Sequence, residues 1–99
     1  MGINIKSEIA NIVNEFKQLP LYISAQLNYK LKKYNEAKKI FDSMIIDNNY
    51  SYLADYGRIL WYLNEKEDAI KYFKQSKSIL NSFYLKNIIK ELKIKPEDI

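Results

Sequence analysis

"KLKKYNEAKKIF" (Lys30–Phe41) and "YLNEKEDAIKYF" (Tyr62–Phe73) are nearly the same phrase, written 32 residues apart. Leu31 answers Leu63, Ala37 answers Ala69, Lys39 answers Lys71 and Phe41 answers Phe73. Self-similarity at a period of 20–50 residues is the signature of stacked units, because the same packing problem recurs at each layer.

Apolar residues on both sides fall at helical spacing. Ile5, Ile9, Ile12, Val13 and Phe16 make a first stripe, with Asn4 placed to cap the first turn. Leu19-Pro20 predicts a break, since proline disfavours helical geometry in the residue before it, and Pro20 then opens the next helix. Leu21, Ser24, Ala25, Leu27 and Leu31 form a second stripe; Ala37, Ile40, Phe41, Met44 and Ile45 form a third. "DNNYS" (Asp47–Ser51) is turn chemistry. Leu53, Tyr56, Gly57, Leu60 and Leu63 follow, with Asn64 suited to the left-handed conformation that ends a helix. Ala69, Tyr72, Phe73, Ser76 and Leu80 make the fifth stripe; Leu85, Ile88, Ile89 and Leu92 make the sixth. The pattern predicts an all-α chain of about six helices and no strands. Short links make neighbours antiparallel. Ala25 with Ala37, and Gly57 with Ala69, leave room for two backbones to cross closely.

Small residue, Tyr-x-Leu or Trp-Tyr-Leu, then Glu/Asp-Ala, then Phe is a pattern that resembles the tetratricopeptide repeat. Here it reads Ala25, Tyr29-Lys30-Leu31, Tyr34-Asn35-Glu36-Ala37, Phe41, and again Gly57, Trp61-Tyr62-Leu63, Asp68-Ala69, Phe73. The spacing of 32 departs from the family's usual period of about 34, Lys32 replaces a turn glycine, Asn28 and Leu60 replace an aromatic, and no proline closes either unit. The resemblance implies one domain, residues 1–99, coiled as a right-handed superhelical stack. Its parts are an N-terminal helix at 5–18, repeat one at 20–47, repeat two at 50–80, a capping helix at 82–93 and a tail at 94–99.

Composition limits the function. The chain has neither histidine nor cysteine, which removes the usual general base, the best nucleophile and thiolate metal sites. Glu65, Glu67 and Asp68 cluster where a helix begins, a position the helix dipole favours for negative charge. "DNNYSY" lacks the glycine of a calcium loop and has Arg58 where the bidentate Glu belongs. The expectation is a protein that is not an enzyme and needs no cofactor or metal. The absence of a signal peptide, a myristoylation motif or a ~20-residue apolar run predicts a cytoplasmic protein that does not enter a membrane. Charge is uneven: residues 71–95 hold seven lysines against Glu91 alone, in a chain of net charge +4. Such a basic end attracts acidic peptides or nucleic acid.

The resemblance implies a concave face lined by the first helix of each hairpin. It carries over to Tyr22, Gln26, Tyr29 and Lys30 from repeat one, and Ala54, Arg58, Trp61 and Tyr62 from repeat two. The cap adds Lys86, Asn87 and Lys90. Tyr, Trp and Arg are common interface anchors, so the expected partner is a protein or peptide with acidic and apolar side chains. Tyr22, Arg58, Tyr62 and Lys90 are expected to be exposed. Tyr22 and Gln26 stand where a carboxylate-clamping Lys and Asn would be needed, which disfavours a chaperone-tail role. "EAKKIFDSM" (Glu36–Met44) also resembles the pentatricopeptide repeat, which binds single-stranded RNA, and Asn49 and Asn81 fall at one of its base-reading positions. The other position holds Tyr22 and Ala54 in place of Asn, Ser or Thr, which disfavours nucleic acid. Self-association is the third reading, leaving monomer or homodimer open; Ile3 and Ile5 leave helix one less polar than the lysine-faced sixth helix.

Overall fold

The computed structural model describes residues 5–99 and is all-helical over that span. Ile3 and Asn4, with the expected cap, lie outside the described residues. The elements are α1 (Ile5–Lys30), α2 (Tyr34–Asp42), α3 (Tyr50–Tyr62), α4 (Lys66–Ile79), α5 (Phe83–Glu91) and a 3-10 turn, Pro96–Asp98. No helix of the described residues is long and apolar enough to cross a membrane.

The first two expected helices are one. Pro20 lies inside α1, although an interior proline removes a backbone hydrogen bond and costs about 3 kcal/mol. Contacts on both sides of the proline hold the helix in line. The Gln18 amide bonds both backbone groups of Ile45, its Nε2 donating to the carbonyl at 3.0 Å and its Oε1 accepting from the N–H. Tyr22 stacks on Tyr52, ring centres 4.6 Å apart.

Neighbouring helices run antiparallel. Tyr29 faces Tyr34 while Tyr22 meets Phe41, so α2 descends along α1. Ser76 Oγ donates to the Tyr50 carbonyl while Gly57 abuts Ala69 and Phe73, so α4 does the same along α3. Ala25, Ala37 and Ala69 are fully buried at these crossings, and Phe41 and Phe73 are sealed beside them. α3 is the central element, buried over almost its whole length and packed against α2, α4 and α5. Leu85, Ile88 and Ile89 of α5 complete the core. Ile94 and Ile99 fold the tail back onto it.

The C-termini of α1, α3 and α5 close in the same way. Lys32, Asn64 and Lys93 adopt left-handed φ of 61°, 65° and 58°. The following N–H donates back five residues: Lys33 to Asn28 at 2.8 Å, Glu65 to Leu60 at 2.9 Å and Ile94 to Ile89 at 3.0 Å. This is the Schellman closure of a helix C-terminus. At the other ends, Asn49 Oδ1 caps α3 by accepting from Ser51 and Tyr52 N–H, and Ser82 Oγ caps α5 by accepting from Leu85 N–H.

Two expected stripes are displaced. Leu21, Leu27 and Leu31 are exposed, and the body-facing side of α1 is Tyr22, Ala25, Gln26 and Tyr29. Because α2 stops at Asp42, Ile46 is buried in place of Ile45.

Candidate functional site

Asp55 occupies the middle of α3 and is 1 % exposed. A carboxylate there must be paired or hydrogen-bonded. Its oxygens accept from the Tyr22 hydroxyl at 2.7 Å, from the Tyr84 hydroxyl, and at longer range from Gln26 Nε2 and Arg58 Nη2, both at 3.4 Å. Burial still dominates and pushes the Asp55 carboxyl above its ordinary value, against the downward pull of Tyr84, Tyr22 and Arg58. The same burial raises Tyr22 far above a free phenol and Tyr84 to about 12, with the Asp55 charge adding to both.

Arg58 carries this network outward. Its guanidinium lies 4.3 Å over the Tyr29 ring and approaches Glu91 of α5 at 3.5 Å. Glu91 also accepts from Tyr62 at 3.0 Å and Tyr29 at 3.4 Å. Tyr62 stacks face to face on Tyr34 with ring centres 5.0 Å apart. Tyr22, Gln26, Tyr29, Arg58 and Tyr62 therefore converge, but largely on each other and on Asp55 and Glu91. The Arg58 side chain is only 14 % exposed, because α5 brings Tyr84 and Glu91 across this side of α3. Tyr22 is likewise half-buried, against the expected exposure, and Ala54 is fully buried; Tyr62 and Lys90 are exposed.

Lys86 and Lys90 do not join this group. On a helix, positions two and six beyond Tyr84 point to its far side. There they border a second surface, a cleft of about 600 Å³ between the end of α4, α5 and the tail. Leu85, Ile89 and Ile94 form its floor, and Lys77, Lys93 and Lys95 complete a basic rim with no acidic side chain among the lining residues. Lys77 Nζ donates to the Ile99 main-chain oxygen at 3.1 Å. Sequence reasoning had the lysine excess and the apolar stripe but not the cleft, because only the return of the tail at Pro96 gives it a second wall.

Trp61 stands apart from both. It is half-buried beside a hollow of about 590 Å³, with Lys66 Nζ 4.8 Å above its ring. Lys30 ends α1 in solvent, and Asn87 is exposed on α5. Asn49 spends its side-chain oxygen on capping α3, while Asn81 borders the basic cleft. No family profile, no curated protein and no solved structure matches the chain.

Proposed function

We propose that the chain is a degenerate tetratricopeptide-like stack working as a non-catalytic protein-interaction module, and that it takes a partner segment with acidic and apolar side chains. The observation that carries this reading is the lysine-rimmed cleft over Leu85, Ile89 and Ile94. An apolar floor with cations only at the edge complements an amphipathic acidic peptide: side chains desolvate on the floor while carboxylates meet the rim. Lys86 and Lys90 are the cationic contacts. The Tyr–Asp–Arg network holds α5, and hence one wall of the cleft, in place. Single-stranded RNA is the rival, and the commitment of Asn49 to a helix cap counts against base reading.

The test is a titration of isotope-labelled protein with a synthetic peptide of alternating Glu and Leu. Amide shifts at Leu85, Ile89 and Ile94, weakened about tenfold in Lys86→Glu/Lys90→Glu, support the reading; two exposed charges at roughly 0.7 kcal/mol each give that factor. Equal shifts in the charge-reversed variant would defeat it. Preference for a single-stranded oligonucleotide, falling steeply with salt, would replace it by RNA binding.

A further inference from the structure

From Ile5 to Ile23, α1 carries a stripe that nothing among the described residues covers. Ile5, Ile9, Ile12, Phe16, Leu19 and Ile23 follow one another at alternating steps of four and three, and each is between 44 % and 70 % exposed. Val13 and Leu27 flank it, also exposed. Steps averaging 3.5 residues keep the stripe on one side of a helix, the pattern of a helix–helix seam. The body touches α1 elsewhere, through Gln18, Tyr22, Ala25, Gln26 and Tyr29, about a third of a turn around the axis. Every described side chain from Ile5 to Lys17 is exposed. A helical segment of that length is marginal in water without packing. The stripe therefore calls for an occupant.

We propose that the occupant is a second copy of the chain, paired antiparallel through this stripe. Three observations favour it. The first is symmetry. The steps 4-3-4-3-4 read alike from either end, so a two-fold axis near position 14 sets Ile5 against Ile23 of the second copy, Ile9 against Leu19 and Ile12 against Phe16. Large apolar groups meet at every level, and the interface is closed and self-complementary. The second is area. Eight half-exposed side chains at roughly 100 Å² each offer about 800 Å² per copy, the share one partner contributes to a stable interface of standard size. The third is charge. Residues 5–18 hold two lysines and two glutamates, so the seams meet without net repulsion, while the lysine excess lies at 71–95. A lipid surface would instead favour a lysine-rich polar face. This pairing does not rest on the peptide cleft, which lies on other elements.

The experiment is solution mass by light scattering on the full chain, with Phe16→Glu as the variant. The expected mass is twice 11.8 kDa, falling to the single-chain value in Phe16→Glu. Phe16 is 70 % exposed within one chain, so near-ultraviolet circular dichroism of the tyrosine core should not change. Spin labels at Lys6→Cys should stand roughly 25 Å apart, from 1.5 Å per residue along the axis; about 10 Å would mean parallel helices and overturn the pairing. A native chain that stays at 11.8 kDa at millimolar concentration overturns the proposal, as does a monomer that binds vesicles through the stripe.

Discussion

A Cβ on Gly57 would stand 2.6 Å from Cε1 of Phe73 and 3.1 Å from the Ala69 carbonyl oxygen. Neither can retreat easily, since Phe73 is fully buried and the carbonyl belongs to the α4 backbone. Gly57→Ala should cost about 1–3 kcal/mol by overpacking, despite alanine's better helix propensity. Ala69→Leu and Ala37→Leu should cost at least as much. Denaturant unfolding checks this; an unchanged midpoint in all three would refute the close crossing.

Asp55→Ala should cost about 3–5 kcal/mol, the range seen when one member of a buried charged pair is removed. The loss leaves the Tyr22 and Tyr84 hydroxyls without their acceptor and deprives Arg58 of one of two acidic partners. Asp55→Asn should be milder, because an amide oxygen still accepts. Equal stability of wild type and Asp55→Ala would show that the network contributes nothing.

The tyrosines give the fold an alkaline limit. Burial raises Tyr22, Tyr29, Tyr56, Tyr62 and Tyr84 above the usual 10.0, so folding favours their neutral form. That contribution is complete below pH 10 and is lost as the unfolded chain ionises first, for Tyr84 between 10 and about 12. Ionisation of the Tyr84 ring, followed by NMR, and loss of the helical signal should therefore coincide above pH 10. A Tyr84 phenolate that forms near pH 10 in a chain still fully helical would contradict this. Asp55 is also raised, so its ionisation costs the folded state and acidification through its range relieves that cost.

Lys32 and Lys93 occupy left-handed positions that cost a residue with a Cβ about 1 kcal/mol or more. Lys32→Gly and Lys93→Gly should each raise stability by up to roughly 1 kcal/mol, offset in part by the greater freedom of glycine in the unfolded chain. Thermal melts read the effect directly. A fall in melting temperature for both would mean that the lysine stems matter more than the backbone.

From α2 onward the helices were legible in the sequence because apolar spacing and small-residue crossings both report the buried face. Ala37, Ala69, Phe41 and Phe73 lie where the repeated phrase put them. α1 was misread at two points for physical reasons. Proline's local preference was overridden by the contacts of Gln18 and Tyr22 on either side. Its buried face is also polar at Gln26 and tipped with hydroxyls at Tyr22 and Tyr29, so aliphatic periodicity points instead to Leu21, Leu27 and Leu31. For the candidate site, residue types were legible and orientation was not. Asp55, a lone acid within the otherwise buried run from Tyr52 to Leu60, was the signal that Arg58 and Tyr22 turn inward.

α5 is joined to the body by more than its leucine and isoleucines. Tyr84 and Glu91 close over an acid and a base that could not remain dry without them. A protease cut near Ser82 would thus admit water to the centre of α3. The expected product is rapid digestion of the whole chain, with no surviving shorter core.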